Sequence, residues 1–442
     1  MTQGWRSLYP QALTHRLQTW VPPLRQEIWI LAVGRLLLHL GQGFTLVYAS
    51  VFFVNQLGFS ATQVGIAMGS GSIVGVLGRF LAGSLSDAPF CGRKGTLVLA
   101  TLACALASFC LAATQSFLTL MVGNLLLGLG IGLYWPAALA SVADYTTVGD
   151  RNEAYAVTRL ADSIGMGTGA LLAGQAIAMS GNYRALFVAQ GISYFVVLAL
   201  IYWTISEAKA PHQKEPQAAR QWLQALRDRA MIVWLGANVF FTTYDALVTA
   251  AMPLYLTNFV PGGRTDTGLG EQIVGFLFFW HIFVKAIAQM PIARWLSRFA
   301  YADAVLLSLI FWSSGFIFTW MTGVVPAWAL VPAAVAMALL ALAKTIYLPA
   351  AASLVSDLAP ETSRGVYFSL ESQCWALGYF VGPTLGGWAL DRSPAVCKGF
   401  WLAIAASAVL SVGILLYLKR ELDRRQTEVS PNLKPATHPQ VQ

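Results

Sequence analysis

Charged residues interrupt several long apolar stretches of this 442-residue sequence, and they are the first guide to its chemistry. A charge at the centre of a membrane-spanning helix costs about 2.5–3.5 kcal/mol on insertion scales, so eight such charges facing lipid alone would cost on the order of 20–28 kcal/mol. We therefore expect them to face one another or a water-filled interior. The eight residues are Arg35, Arg79, Arg159, Asp162, Asp245, Lys285, Lys344 and Glu371.

The acids among these residues could carry protons. A carboxyl group sheltered from water favours its neutral form and can exchange a proton near neutral pH. Asp162, Asp245 and Glu371 are therefore candidate proton carriers. His39 and His281 lie in similar apolar stretches and could titrate in the same range.

Structural ion pairing is the alternative role for these charges. Arg159 and Asp162 are three residues apart, which places them on one face of a helix, where they could pair. Asp245 and Lys285 are expected at one depth on neighbouring helices and could pair as well. No local partner is evident for Arg35, Lys344 or Glu371.

Arg79 differs from the other charges in its position. It lies two turns from the end of its apolar stretch, so its guanidinium can extend to the membrane surface. The predicted substrate and proton pathway therefore consists of the other seven charged residues and His39.

The composition of the chain excludes several classes of protein. Hydrophobic residues make up 57% of the sequence and charged residues 11%, whereas soluble proteins average about 25% charged residues. Soluble enzymes, nucleic-acid-binding proteins and disordered proteins are thereby excluded. The sequence has no HExxH or GxxxxGK[ST] motif, and its five cysteines form no CxxC pair. We expect no catalytic site, cofactor or metal.

Long apolar runs predict an all-α membrane protein with twelve transmembrane helices. The runs do not alternate in polarity as barrel strands do, so each must satisfy its backbone hydrogen bonds as a helix. The predicted spans are 28–54, 62–86, 95–114, 117–144, 152–180, 184–206, 231–259, 271–299, 303–323, 326–357, 364–390 and 397–419.

The polar segments between the spans divide the chain into five parts. Residues 28–206 and 231–419 are predicted to form two six-helix bundles, joined by a polar loop over 207–230. Residues 1–27 are amphipathic and suit the membrane surface, and residues 420–442 are expected to be a disordered tail.

The distribution of basic residues predicts the orientation of the chain. Nineteen of the 28 Lys and Arg residues fall on the side that holds both termini, and four fall on the other side. Because cytoplasmic loops are enriched in Lys and Arg, both termini should be cytoplasmic in a plasma (inner) membrane. This bias also explains the formal net charge of +8 without a nucleic-acid partner.

The two halves of the chain repeat each other. Residues 134–174 align without a gap with residues 347–387, with 11 identities in 41 positions. The shift carries an even number of spans onto their counterparts, so the repeats run parallel in the membrane. Two pseudo-symmetric bundles related in this way are an architecture of transporters.

Two motifs carry a resemblance to a known family. The segment from Gly83 through Asp87 to Gly92-Arg93-Lys94 resembles the signature loop of the major facilitator superfamily, with two extra residues between the Asp and the Gly. The GxxxGPxxGG motif at 378–387 resembles one that marks the drug:proton antiporter branch. In that branch the motif belongs to helix 5, and helix 4 carries an Arg where this chain has Asn124.

The resemblance implies roles for the loop residues and for the charged spans. It implies that the loop acid binds across the interface of the bundles, near the start of the span at 364, and latches one conformation. It also implies that spans 1, 4, 7 and 10 line a central cavity beside 2, 5, 8 and 11, and the eight charges all lie on these spans. The predicted latch comprises Gly83, Asp87, Arg93, Lys94, Asp144, Arg151, Asp357 and Arg364.

Glycines spaced by four residues are expected to bring helix backbones close together. They could serve close packing alone, or they could let the two bundles slide past each other. Proline within a span favours a kink. The predicted packing residues are Gly165, Gly169, Gly378, Gly382, Pro383, Gly386 and Gly387.

Together these features predict a secondary active transporter that works by alternating access. Proton-coupled efflux of a small amphipathic compound is the expected activity, with protons, the substrate and the lipid bilayer as partners and a monomer as the functional unit. The alternatives are a uniporter or symporter for an organic anion or sugar, and a non-transporting membrane sensor.

Overall fold

The computed structural model describes residues 24–88, 91–147, 150–204, 218–260, 268–296, 298–325, 328–360 and 363–429. Within these ranges the regular structure is entirely helical. The predicted amphipathic segment before residue 24 lies outside the described residues.

The first half contains six long helices. Ser60 and Ser116 start two of them with capping boxes, in which the serine side chain and the residue three positions later exchange hydrogen bonds with each other's backbone N–H. A short π-helical turn, Phe52–Gln56, extends the first helix. The helices are α1 (Gln26–Val51), α2 (Ala61–Asp87), α3 (Gly92–Ala112), α4 (Phe117–Asp144), α5 (Arg151–Ser180) and α6 (Arg184–Thr204).

The second half begins with a short amphipathic helix inside the predicted central loop. The predicted span 231–259 is divided at Ala251, because Pro253 cannot donate a backbone hydrogen bond to the preceding turn. The helices are α7 (Ala218–Arg227), α8 (Arg229–Ala250), α9 (Met252–Phe259), α10 (Glu271–Leu296), α11 (Tyr301–Val324), α12 (Leu330–Leu358), α13 (Arg364–Leu390) and α14 (Pro394–Val429).

The last helix is longer than the sequence predicts. It continues to Val429, so residues 420–429 are helical where a disordered tail is expected. Lys419 pairs with Asp303 of α11 at 2.5 Å, and Leu422 packs against the core. These contacts to neighbouring helices hold the extra turns.

Ten of the helices in the described residues are long and apolar enough to cross a membrane. The long helices α5 and α13, with 30 and 27 residues, are more polar and do not meet that composition. Glycine and polar uncharged residues, such as Gly167 and Thr168 in α5, lower their mean hydropathy. Side chains such as Leu118, Met179 and Val409 are each more than two-thirds exposed and give the protein an apolar exterior.

The two halves repeat one packing pattern. In the first half α1 packs on α5 and α6, and α3 packs on α4. In the second half α8 packs on α13 and α14, and α11 packs on α12. The halves meet along α2 with α13 and along α5 with α10. The repeat relates α2 to α10 and α5 to α13, so the two interfaces are equivalent. This arrangement confirms the predicted pseudo-symmetric bundles.

Most of the predicted packing glycines lie inside the halves. A methyl group on Gly165 would lie 3.0 Å from the backbone nitrogen of Leu40 in α1, and one on Gly382 would lie 2.7 Å from Ala246 in α8. Gly169, Gly378 and Gly386 make equivalent contacts within their halves. These five residues fix α5 and α13 in their bundles and do not form a sliding surface. Gly387 differs, because it faces Ala61 of the opposite half.

Candidate functional site: the cleft between the two halves

The two halves touch closely at one end of the molecule, which we call the sealed end. It is defined by Asn55, Thr62, Asn258 and Asp391. The side-chain amides of Asn55 and Asn258 exchange hydrogen bonds of 2.8 and 2.9 Å. The carboxylate of Asp391 accepts bonds of 2.8 Å from the backbone N–H groups of Ala61 and Thr62. Every one of these bonds joins one half to the other.

A second seam closes the same end beside α5 and α10. The hydroxyl of Tyr48 donates to the backbone oxygen of Glu271 at 2.8 Å, and the hydroxyl of Tyr183 donates to its carboxylate at 2.7 Å. The side-chain amide of Gln272 donates to that of Gln175 at 3.1 Å. Polar contacts therefore join the halves at this end on two sides, beside α2 and α13 and beside α5 and α10.

Towards the other end, which we call the open end and which holds Gly83 and Gly365, fewer of the described hydrogen bonds join the two halves. Among the hydrogen bonds described between the halves, the one nearest this end runs from the guanidinium of Arg79 to the backbone oxygen of Ser372, at 3.3 Å.

A cavity of about 280 Å³ lies between the halves. Helices α1, α2 and α4 supply one wall, and α8 and α13 supply the other. The wall is mainly apolar, with a few polar groups, which is typical of sites for small molecules. The polar side chains are those of Ser72, Arg79, Asn124, Thr249 and Tyr379.

The first half holds a buried charge cluster beside the cleft. The guanidinium of Arg35 makes a two-pronged ion pair with Asp162, with one bond from Nε of 2.8 Å. Nδ1 of His39 lies 3.1 Å from the same carboxylate. Arg35 also lies over the ring of Trp135, 5.0 Å from its centre. Because one bidentate pair and an aromatic face surround Arg35, its charge is largely neutralised.

The second half holds a separate cluster. The ammonium of Lys344 on α12 lies 2.7 Å from the carboxylate of Asp245 on α8. The hydroxyl of Tyr379 on α13 donates to Asp245 at 2.7 Å and also lines the cavity. Tyr379 therefore connects the cavity wall with the buried Asp245–Lys344 ion pair.

Neither of the two ion pairs considered possible from the sequence is formed. Asp162 pairs with Arg35 on α1, not with Arg159 on its own helix, and Asp245 pairs with Lys344, not with Lys285. Helix spacing and depth cannot report how two helices are rotated against each other, and that rotation selected the partners.

The remaining pathway charges have no described ion-pair partner. Lys285 on α10 lies within electrostatic range of Asp162 in the first half and of Asp245 in the second. Glu371 is half-buried beside Asn238. Arg159 is exposed on α5. Lys285 and Glu371 are thus half-buried ionisable residues without an ion-pair partner among the described residues.

The predicted latch residues lie at the open end. Arg93 forms an ion pair with Asp144 and donates to the backbone oxygen of Ala140, all within the first half. The ammonium of Lys94 lies over the ring of Tyr202. These contacts stabilise the end of one bundle and do not reach the other.

The cross-bundle part of the latch is not formed among the described residues. Asp357 and Arg364 are exposed, and Arg151 is half-buried at the start of α5. The side chain of Asp87 lies outside the described residues. An open end is the conformation in which such a latch would be released.

Sequence reasoning missed the residues that define the cleft. Its distance to the helix end predicts that Arg79 extends to the membrane surface, but the residue lines the cavity. Asn55, Asn258 and Asp391 sit in loops or at helix ends, where polar residues are ordinary. Only the packing of the two halves distinguishes them.

A family model and two groups of known proteins match this chain. The model described as Major Facilitator Superfamily matches residues 31–262 and again residues 248–439, one match for each half. The two matches agree with the internal repeat.

Curated relatives are similar over most of their length. A Na(+), Li(+), K(+)/H(+) antiporter of Planococcus maritimus is 24% identical over 424 residues, which cover 89% of this chain and 96% of the relative. The multidrug resistance protein MdtH of Aeromonas hydrophila is 27% identical over 392 residues, which cover 88% and 94%.

Solved structures share the fold. The nucleoside transporter NupG matches with a TM-score of 0.76 at 12% identity, covering 89% of this chain and 99% of NupG. The peptide transporter POT in complex with sulfate matches with a TM-score of 0.74 at 15% identity, covering 93% and 98%.

Proposed function

The chain belongs to the Major Facilitator Superfamily, and from this premise we propose that it is a proton-coupled exporter of a small amphipathic compound. That the chain is a multi-pass membrane transporter follows from the family itself. The coupling ion, the direction of transport and the type of substrate are the proposal.

One observation carries the proposal: the cavity touches both halves, which are joined by several hydrogen bonds at the sealed end and, among the described residues, by a single one towards the open end. A site held between two bundles can be exposed to each side of the membrane in turn when the bundles rock. The apolar wall with few polar groups supports an amphipathic substrate.

We propose that the open end faces the cytoplasm, and the excess of Lys and Arg on that side supports this orientation. The cavity then receives its substrate from inside the cell. In the opposite state the cytoplasmic ends would approach, and Asp87 would reach the start of α13 to latch them, with Arg364 and Asp357 nearby. Acid at a helix N-terminus is electrostatically favoured.

Proton coupling is assigned to the acids of the two charge clusters and to Glu371. Protonation of Asp162 or Asp245 would release Arg35 or Lys344, and Lys285 lies close enough to compensate for either change. Glu371 has no described ion-pair partner, so it can gain or lose a proton without breaking one. A relative is named as a cation/H(+) antiporter and others as multidrug resistance proteins, which supports this assignment.

The second candidate function is uniport or symport of an organic anion or a sugar. Asn124 favours it, because the antiporter branch carries Arg at this position and Asn124 lines the cavity. An uncharged amide would suit a transporter in which this helix does not respond to protons.

Flux measurements in proteoliposomes distinguish the two candidates. An imposed pH gradient should drive accumulation of substrate against its own gradient, in the direction opposite to proton flow. Dissipating the gradient with a protonophore is the control. Substrate movement that ignores the gradient would rule out antiport, and movement in the direction of the protons would establish symport.

A further inference from the structure

Arg79 brings a positive charge into the cavity between the halves. It lies on α2 and lines the cavity together with Trp375 and Tyr379 of α13. Its one described hydrogen bond is the 3.3 Å contact with the backbone oxygen of Ser372. No carboxylate in the described part of the chain lies within ion-pair distance of it.

A guanidinium has five N–H donors in a rigid plane, and a carboxylate accepts two of them in parallel. In a mainly apolar cavity such a group is costly unless a partner neutralises it. Most of the donors of Arg79 are therefore free to bind a ligand.

The acids nearest the cavity do not pair with Arg79, because they interact with other residues. Asp162 is held by Arg35 and His39, and Asp245 is held by Lys344 and Tyr379. Glu371 points towards Asn238 and is not part of the cavity lining. The lining thus offers a cation and no carboxylate to whatever enters.

The rest of the lining suits a flat apolar body. Trp375 and Tyr379 supply aromatic surface, with Met68, Leu127 and Ile131 on the facing wall. A volume of about 280 Å³ is just below the usual range for ligand sites, roughly 300–1,000 Å³, and favours a compact ligand.

We propose that this cavity binds small aromatic carboxylates, with the carboxylate paired to Arg79 and the ring against Trp375. The inference rests on the proposed function, because it takes the cavity to be the transport site. It names the substrate class as anionic, in contrast to an amphipathic cation.

Three probes of nearly equal shape test the charge preference: 2-naphthoate, 2-naphthamide and 2-(aminomethyl)naphthalene. Binding to the purified full-length protein is followed by calorimetry and by quenching of tryptophan fluorescence. We expect naphthoate to bind at least tenfold more tightly than the amide, and the ammonium compound to bind most weakly.

Variants of Arg79 assign that preference to one residue. Arg79→Gln should remove the difference between naphthoate and the amide, and Arg79→Lys should keep part of it. The control is Arg298→Gln, the same substitution at an exposed position outside the cavity, which should behave as the parent protein. If Arg79→Gln fails to fold, the series on the parent protein and on Arg79→Lys decides the question.

Several outcomes would overturn the inference. These are tighter binding of the ammonium compound or the amide, a preference for naphthoate that survives in Arg79→Gln, or no binding of any probe at millimolar concentration. Such results would leave proton-coupled export of another substrate intact. Conversely, Arg79-dependent binding without flux in proteoliposomes would contradict the proposed function and leave the anion site standing.

Discussion

Asp391 and Thr62 belong to different halves of the protein, and the carboxylate of Asp391 accepts hydrogen bonds from both the backbone N–H and the hydroxyl of Thr62, at 2.8 and 2.5 Å. The N-terminal end of α2 thereby receives a negative charge, which its unpaired N–H groups and helix dipole favour. The C-terminal end of α13 in the second half is thus bound to the N-terminal end of α2 in the first half.

Asp391→Asn should open the sealed end. Hydrogen bonds to a charged group contribute about 1.5–3 kcal/mol, and the amide would lose the charge and one acceptor oxygen. Spin labels can be placed at Ser180 and Ala395, two exposed sites at this end. Double electron–electron resonance should then show a larger population of molecules with a long distance between the labels. Asp303→Asn removes a carboxylate paired within one half and should leave the distances unchanged. Equal distributions for both variants would deny Asp391 this role.

Cross-linking Asn55→Cys with Asn258→Cys should arrest transport. The two side chains exchange hydrogen bonds directly, so a short bifunctional methanethiosulfonate, which forms a reducible disulfide with each cysteine, can join them only while this end is closed. Flux in proteoliposomes should stop after cross-linking and return after reduction. The single variants treated in the same way are the controls, and full transport by the cross-linked protein would exclude opening at this end.

Asp245→Asn alone should destabilise the protein more than the double variant Asp245→Asn with Lys344→Met does. Removal of one partner leaves the Lys344 ammonium without its counter-charge, and breaking a buried pair in this way costs about 3–5 kcal/mol. The melting temperature in detergent should fall clearly for Asp245→Asn and recover in part when Lys344→Met is added. A double variant that is less stable than the single one would show that the ion pair is not the reason.

Glu371→Gln should reduce the dependence of transport on the pH gradient without reducing the amount of folded protein. The amide cannot release a proton, and it breaks no ion pair among the described residues. Initial flux should be compared at several gradients, with melting temperature as the measure of folding. Glu153→Gln, at an exposed acid near the start of α5, should retain the parent dependence. An unchanged response in Glu371→Gln would remove this residue from the proton pathway.

Gly128→Ala should weaken the first half. A methyl group there would collide with the backbone of Gly71 in α2, and overpacking of this kind costs about 1–3 kcal/mol. The same substitution at Gly236 meets no described atom within 4 Å and should leave thermal stability unchanged. Similar melting temperatures for the two variants would mean that α2 and α4 can move apart to accommodate the methyl group without loss of stability.

The sequence was sufficient to predict the helical architecture. The ends of the twelve predicted spans agree with the helix ends to within four residues, except at the last end, whereas α7 and the break at Ala251 are not predicted. The agreement arises because the thickness of the membrane constrains the length of an apolar helix. The repeat between 134–174 and 347–387 revealed the two-fold relation of the halves. The break at Ala251 could have been read from Pro253, which cannot donate within the helix.

The partners of the charges could not be predicted in this way. Which face of α5 meets α1 depends on small contacts such as that of Gly165 with Leu40, and this rotation decided that Asp162 reaches Arg35. The same holds for Arg79, whose depth was compatible with the surface and with the cavity. Distance along a helix constrains height in the membrane but not direction around the axis.

The close contact of α2 and α4 at Gly71 and Gly128 leaves these two helices little room to move against each other. α2 carries Arg79 at the cavity and Thr62 at the sealed end, 17 residues and roughly 26 Å away. A ligand that shifts the Arg79 side chain, as proposed above, would therefore displace the sealed end through the rigid helix itself, without a chain of intermediate side chains.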